Sequence, residues 1–117
     1  MSQIWKVKAS AASIAAALVL LAAPIAHADD VAPLSVTLKG HHFAPTEIEA
    51  PANKKIVLEV SNQDSTPAEL ESKALRVEKV VAGGGKISVQ IRGLAPGRYR
   101  FFDDYHEDTA EGFLVVK

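Results

Sequence analysis

From residue 34 onward the chain is ruled by alternation. Leu34, Val36 and Leu38 fall on one face of Leu34-Ser35-Val36-Thr37-Leu38-Lys39, the period-2 signature of a half-buried strand. Gly40-His41-His42-Phe43-Ala44-Pro45 breaks that pattern. Thr46 to Pro51 predicts a second strand, held to a sheet edge because Pro51 has no N–H to give a central ladder. Ile56, Leu58 and Val60 make the inward face of a third strand. After the polar loop Asn62 to Pro67, Glu69 and Glu71 share a face opposite Leu70. Lys73 to Lys79 fits a helical turn and an irregular strand alike. Gly83-Gly84-Gly85 reads as a turn or bulge, since consecutive glycines suit neither regular element. Alternation resumes with Ile87, Val89 and Ile91 inward, then a Pro-Gly turn at 96–97, then Tyr99 and Phe101 inward against Arg98 and Arg100. Phe113 to Val116 is apolar on both faces, as in a strand enclosed by the sheet. Short strands with turn residues between them predict an all-β sandwich or barrel.

The N-terminus follows different rules. Lys6 and Lys8 precede an apolar run, Ala9 to Ala23, and Ala26-His27-Ala28 fits the small-x-small rule for signal cleavage. The apolar run is short for a spanning helix, which needs about 20 residues. Residues 1–28 therefore read as a signal peptide, residues 29–117 as one exported domain, and the expected location is the periplasm. Asp29 to Pro33 reads as a flexible leader.

Loss of the signal peptide leaves eleven of the thirteen basic residues against all fourteen acids, a net charge near −3. That balance disfavours nucleic acid and anionic lipid as partners. The chain has no cysteine. An exported protein of this size thus folds without disulfides and has no thiolate to offer a metal or a substrate. Its one methionine, Met1, leaves with the signal. No Gly-x-Ser-x-Gly elbow and no phosphate-binding loop is present.

What chemistry remains is concentrated in Asp103-Asp104-Tyr105-His106-Glu107-Asp108, a loop between two strand-like runs. Asp103 and His106 offer an oxygen and an imidazole within one turn, and Asp104, Glu107, Asp108 and Glu111 offer further oxygens nearby. Such mixed donors suit iron, manganese, zinc and Cu(II). The same acids serve equally as an ion-pair network with Arg98, Arg100 and Lys79. Asp103 and Asp104 are adjacent in an extended chain and point opposite ways, so one of them supports rather than binds. His41 and His42 are expected mainly as loop or packing residues for the same reason. Tyr105 is expected to pack beneath the loop.

Several short motifs together resemble the cupredoxin family, whose fold is a Greek-key β-sandwich. They are His41-x-Phe43-x-Pro45, the Pro51 corner, Asn62-x-Asp64, Leu94-x-Pro96-Gly97-x-Tyr99-x-Phe101, and Gly112-x-Leu114-Val115-Val116. The departures are informative. Ala68 follows Pro67 where copper-binding members have a histidine. Asp103 stands in the place of the cysteine ligand, and Thr109 near that of the methionine. Of the four blue-copper ligands only His106 remains. The run Phe101-Phe102-Asp103-Asp104-Tyr105-His106, with Glu69-x-Glu71-Ser72 and Leu75 to Lys79, resembles EfeO-type cupredoxin domains and periplasmic components of ferrous-iron permease systems.

That resemblance implies a protein that receives or oxidises Fe(II) in the periplasm and passes iron to an inner-membrane permease, together with other periplasmic components. The expected metal ligands are Asp103 and His106, then Glu71 and Glu69, then Asp104 and Glu78. Iron is the expected metal, with copper in a non-blue site as the alternative, and a homodimer could complete the site. A metal-free module that docks on a permease is the remaining reading. Whether the protein is an enzyme is left open.

Overall fold

A computed structural model describes residues 33–117. The expected signal peptide and the start of the leader lie outside the described residues. Nine strands form among the described residues: β1 (Leu34–Lys39), β2 (His42–Ala44), β3 (Glu47–Ala50), β4 (Ile56–Asn62), β5 (Ala68–Ser72), β6 (Val77–Val81), β7 (Lys86–Ile91), β8 (Gly97–Asp103) and β9 (Glu111–Val116). They build two sheets, ordered β2-β1-β4-β7 and β3-β9-β8-β5-β6. Both sheets are mixed, because β1 runs parallel to β4 and β3 parallel to β9. The chain passes repeatedly between the sheets, as Greek-key sandwiches do.

The alternation follows from burial. Val36 and Leu38 of β1, Ile56, Leu58 and Val60 of β4, Val89 and Ile91 of β7, Phe101 of β8 and Leu114 of β9 all lie in one core. Each large apolar side chain fully buried there stabilises the fold by roughly 1.5–3 kcal/mol relative to exposure. Phe101 is its centre. Its ring meets Phe43 edge-on at 5.1 Å and lies across Gly112, its cross-strand partner. A Cβ on Gly112 would come within 2.5 Å of that ring.

One expectation is corrected, and one segment left open by the sequence is resolved. The break at Gly40–Pro45 contains a strand, β2, which pairs back on β1 with Lys39 opposite His42. Gly40 and His41 are thus a two-residue hairpin loop, and both have φ near 59°, the type I′ geometry whose twist matches the flanking strands. The ambiguous segment resolves into a turn at residues 73–76 and β6, paired antiparallel with β5. Arg76 takes positive φ in that turn, which ends any continuous helical or strand periodicity. β3 is an edge strand, as Pro51 requires, and β9 lies within its sheet. Among the described residues, no helix is long and apolar enough to cross a membrane.

Candidate metal centre

β8 ends at Asp103, and a single 3₁₀ turn, Asp104–His106, follows. Asp103 caps that turn. Its Oδ1 accepts from the Tyr105 N–H at 3.0 Å and from the Glu69 N–H at 2.9 Å, and its Oδ2 lies 2.9 Å from His106 Nδ1. The carboxylate is fully buried, so three donors are what its desolvation demands. An ionised carboxylate only accepts. Against an ionised Asp103 the proton of this contact lies on His106 Nδ1, and in the neutral ring Nε2 then holds the lone pair. The loop is closed below by Asp103 N–H to Ala110 C=O and Ala110 N–H to His106 C=O.

The β1–β2 hairpin brings a second imidazole to this point. The rings of His41 and His106 stack with centroids 3.7 Å apart and planes 17° from parallel. The hairpin turn is clamped by Asp64, which accepts from Gly40 N–H at 2.7 Å and His41 N–H at 3.0 Å. Those two N–H groups hold the Asp64 carboxyl below its ordinary value.

One donor atom from each of His41, Asp103 and His106 lies within 4.8 Å of the others. Two ligands of a tetrahedral ion bonded at ~2.0–2.1 Å sit roughly 3.3 Å apart, so the group is on the scale of a metal site. Stacked rings run their in-plane lone pairs side by side, however. The donor set fits an ion once the half-buried His41 ring turns its edge toward His106 Nε2. Asp103 Oδ1 is fully used, so this residue serves chiefly to orient His106, with Oδ2 as its one oxygen open to an ion.

A second group lies on the outer face of the five-stranded sheet. One carboxylate oxygen from each of Glu69, Glu71 and Asp104 lies within 4.8 Å of the others. Glu78 sits directly across from Glu71 in the β5–β6 ladder, a like-charge pairing that destabilises a sheet. The arginines do not relieve it. Arg98 pairs with Glu47 and covers the Phe113 ring at 4.0 Å. Arg100 pairs with Glu111 and Glu107 and covers Phe102 at 4.3 Å. Among the described residues none of Glu69, Glu71, Glu78 and Asp104 has an ion-pair partner. Lost hydration first, then the charges of Asp104, Glu78 and Glu69, hold the Glu71 carboxyl above its ordinary value.

The six expected ligands thus fall in two adjoining places. Asp103 and His106 stand at the sandwich end, and Glu69, Glu71, Asp104 and Glu78 on the outer sheet face. Asp103 joins the two, holding the Glu69 backbone with one oxygen and the His106 ring with the other. Asp103 and Asp104 do diverge, one fully buried and one exposed. His41 was not expected as a ligand. The signal for it was Gly40-His41, a pair suited to positive φ, with a carboxylate to receive its N–H groups at Asp64. His42 is exposed. Tyr105, expected to pack under the loop, is 49% exposed. The neighbouring Glu69 carboxylate, after lost hydration, raises its hydroxyl pKa.

Comparison with known proteins agrees with this architecture. A family profile described as a cupredoxin-like domain matches residues 11–116. The chain is 40% identical over 88 residues to an uncharacterized protein of Rickettsia prowazekii (strain Madrid E), a match covering 75% of this chain and 70% of that one. Auracyanin A, a blue copper protein from Chloroflexus aurantiacus, superimposes with a TM-score of 0.61 at 13% identity, over 74% of this chain and 98% of its own. A purple cupredoxin from Nitrosopumilus maritimus gives 0.56 at 15% identity, over 72% and 99%. The metal-binding domain of the Cu(I)-exporting ATPase CopA of Streptococcus pneumoniae D39 gives 0.62 at 9% identity, over 73% and 84%. At such identities the structural likeness speaks for the fold alone. The matched profile spans nearly the whole chain, and this protein belongs to the cupredoxin-like domain family.

Proposed function

We propose that this chain is a periplasmic metal-binding protein of a ferrous-iron uptake system, which receives or oxidises iron and passes it to an inner-membrane permease with other periplasmic components. One observation carries the reading. Four carboxylates are gathered at one sheet face, none with an ion-pair partner among the described residues, around a cross-strand Glu71–Glu78 pair that costs stability. Hard oxygen donors suit iron, and the resemblance of the Phe101–His106 run to iron-uptake proteins supports the same choice. A bound cation removes the repulsion that the arginines leave in place.

The second reading is a non-blue Cu(II) carrier. It is favoured by the His41–His106 pair, since imidazole donors and the top of the divalent affinity series both point to Cu(II). Without a thiolate, such a site has none of the sulfur donation of a blue centre.

The test is thermal unfolding of the purified protein with Fe(II) under anaerobic conditions, and separately with Cu(II). Metal at 100 times its Kd stabilises by ~2.7 kcal/mol, a rise of roughly 10–20 °C for a domain of this size. The iron reading expects Fe(II) to raise Tm, and Glu71→Gln with Asp104→Asn to abolish the rise. The copper reading expects a Cu(II) rise that His41→Gly and His106→Ala abolish. No rise with either metal leaves a metal-free docking module.

A further inference from the structure

We infer that Asp64, which is remote in sequence from the acidic loop, is a positioning residue of the two-imidazole centre: it fixes the left-handed turn that presents His41 to His106. This rests on the reading that His41 and His106 bind a metal.

His41 is a non-glycine residue at φ 59°, a region uncommon for side chains with a Cβ, though histidine is enriched there. Both N–H groups of the turn point to one carboxylate, Oδ1 taking Gly40 and Oδ2 taking His41. The Asp64 backbone is itself held. Its backbone N–H donates to Asn62 Oδ1 at 3.0 Å, and its C=O accepts from Gly84 N–H at 2.8 Å. Asn62 is buried and donates through Nδ2 to the carbonyls of Thr66, Val81 and Ala82. The whole 62–64 corner is therefore rigid at its base and offers a fixed anion to the hairpin.

The same carboxylate lies 3.5 Å from His41 Nδ1, an ion-pair distance without a hydrogen bond. His106 Nδ1 is hydrogen-bonded to Asp103 Oδ2 at 2.9 Å. A carboxylate thus stands beside Nδ1 of each imidazole, bonded in one case and within ion-pair reach in the other, and a carboxylate at Nδ1 favours Nε2 as the atom left for a metal, as in metal-binding histidines. The two carboxylates come from different sheets, Asp64 beyond β4 and Asp103 at the end of β8.

The experiment loads the purified protein with Cu(II) and counts imidazole nitrogens by pulsed electron paramagnetic resonance, alongside competition measurements of affinity. The wild type is expected to show two coupled imidazoles. Asp64→Ala is expected to show one, with affinity lower by about 10–100-fold, the usual cost of losing a carboxylate behind a metal-bound histidine. His41→Gly keeps a residue suited to the turn and deletes the ring. Adding Asp64→Ala to it should cause no further loss, because the two changes act through one group. A fully coupled pair of nitrogens in Asp64→Ala overturns the positioning role, as does an equal further loss in the His41→Gly background. A wild-type protein that binds no Cu(II) overturns the metal reading of this centre itself, which is a different result from either.

Discussion

Replacing Asp103 separates its structural role from its role toward a metal. In Asp103→Ala three donors lose their acceptor: the Glu69 and Tyr105 N–H groups and His106 Nδ1–H. Hydrogen bonds to a charged acceptor contribute ~1.5–3 kcal/mol each, and orphaned donors cost ~1–3 kcal/mol. All three lie in a partly buried region, so the loss is about 3–6 kcal/mol. A domain of this kind has only ~5–15 kcal/mol to lose. Asp103→Asn behaves differently. Its carbonyl oxygen still takes both backbone N–H groups, so the cost falls to about 1–2 kcal/mol. Its NH₂ now faces His106 Nδ1, which must accept. The ring proton moves to Nε2, and the lone pair that faces the metal is lost. Urea unfolding of the metal-free proteins gives the first comparison, and Cu(II) titration of wild type and Asp103→Asn the second. The account expects Asn to be far more stable than Ala and yet poor at binding copper. An Ala variant within about 1 kcal/mol of wild type, or an Asn variant with undiminished affinity, contradicts these two roles of Asp103.

Three further outcomes follow from the same structure. Glu71→Gln should stabilise the metal-free protein at neutral pH. The wild-type carboxyl is raised above 4.5 in the fold, so its protonated form is favoured there, and the wild-type disadvantage grows as pH rises through the folded pKa and vanishes below 4.5. Unfolding at pH 4 and pH 7 checks this. Asp64 has the opposite sign. Its carboxyl is depressed below 3.8, so the stability it supplies is present above that value and is lost as pH falls further, and an acid titration of Asp64→Asn should lack that component. Gly112→Ala sets a Cβ 2.5 Å from the Phe101 ring and should cost about 1–3 kcal/mol by overpacking, measurable as a fall in Tm.

The fold was legible because its signals are local. Alternation at Leu34–Leu38, Ile56–Val60 and Ile87–Ile91 marks core strands whatever their neighbours, and Pro51 alone is enough to place β3 at an edge. The strand β2 was hidden because three residues are too few to show a period. The segment 73–79 was hidden because Arg76 takes a backbone conformation that sequence periodicity does not register. For the site, the acid residues were visible as types, but their division into two groups was not. It arises from the β5–β8 register, which sets Leu70 opposite Asp103 and so turns Asp103 inward while Asp104 joins Glu69 and Glu71. His41 escaped because its contact with His106 spans the two sheets, a separation that no local motif encodes.

A cupredoxin-like sandwich without sulfur ligands is proposed to hold a metal through its acid face and its two-imidazole end. Elemental analysis of the protein purified from the cells that make it, beside a variant carrying His41→Gly, Glu71→Gln and Asp104→Asn, is the decisive measurement. Iron, or copper, is expected at near one equivalent or more in the wild type and little in the variant. Equal trace levels of both metals in the two proteins would contradict it.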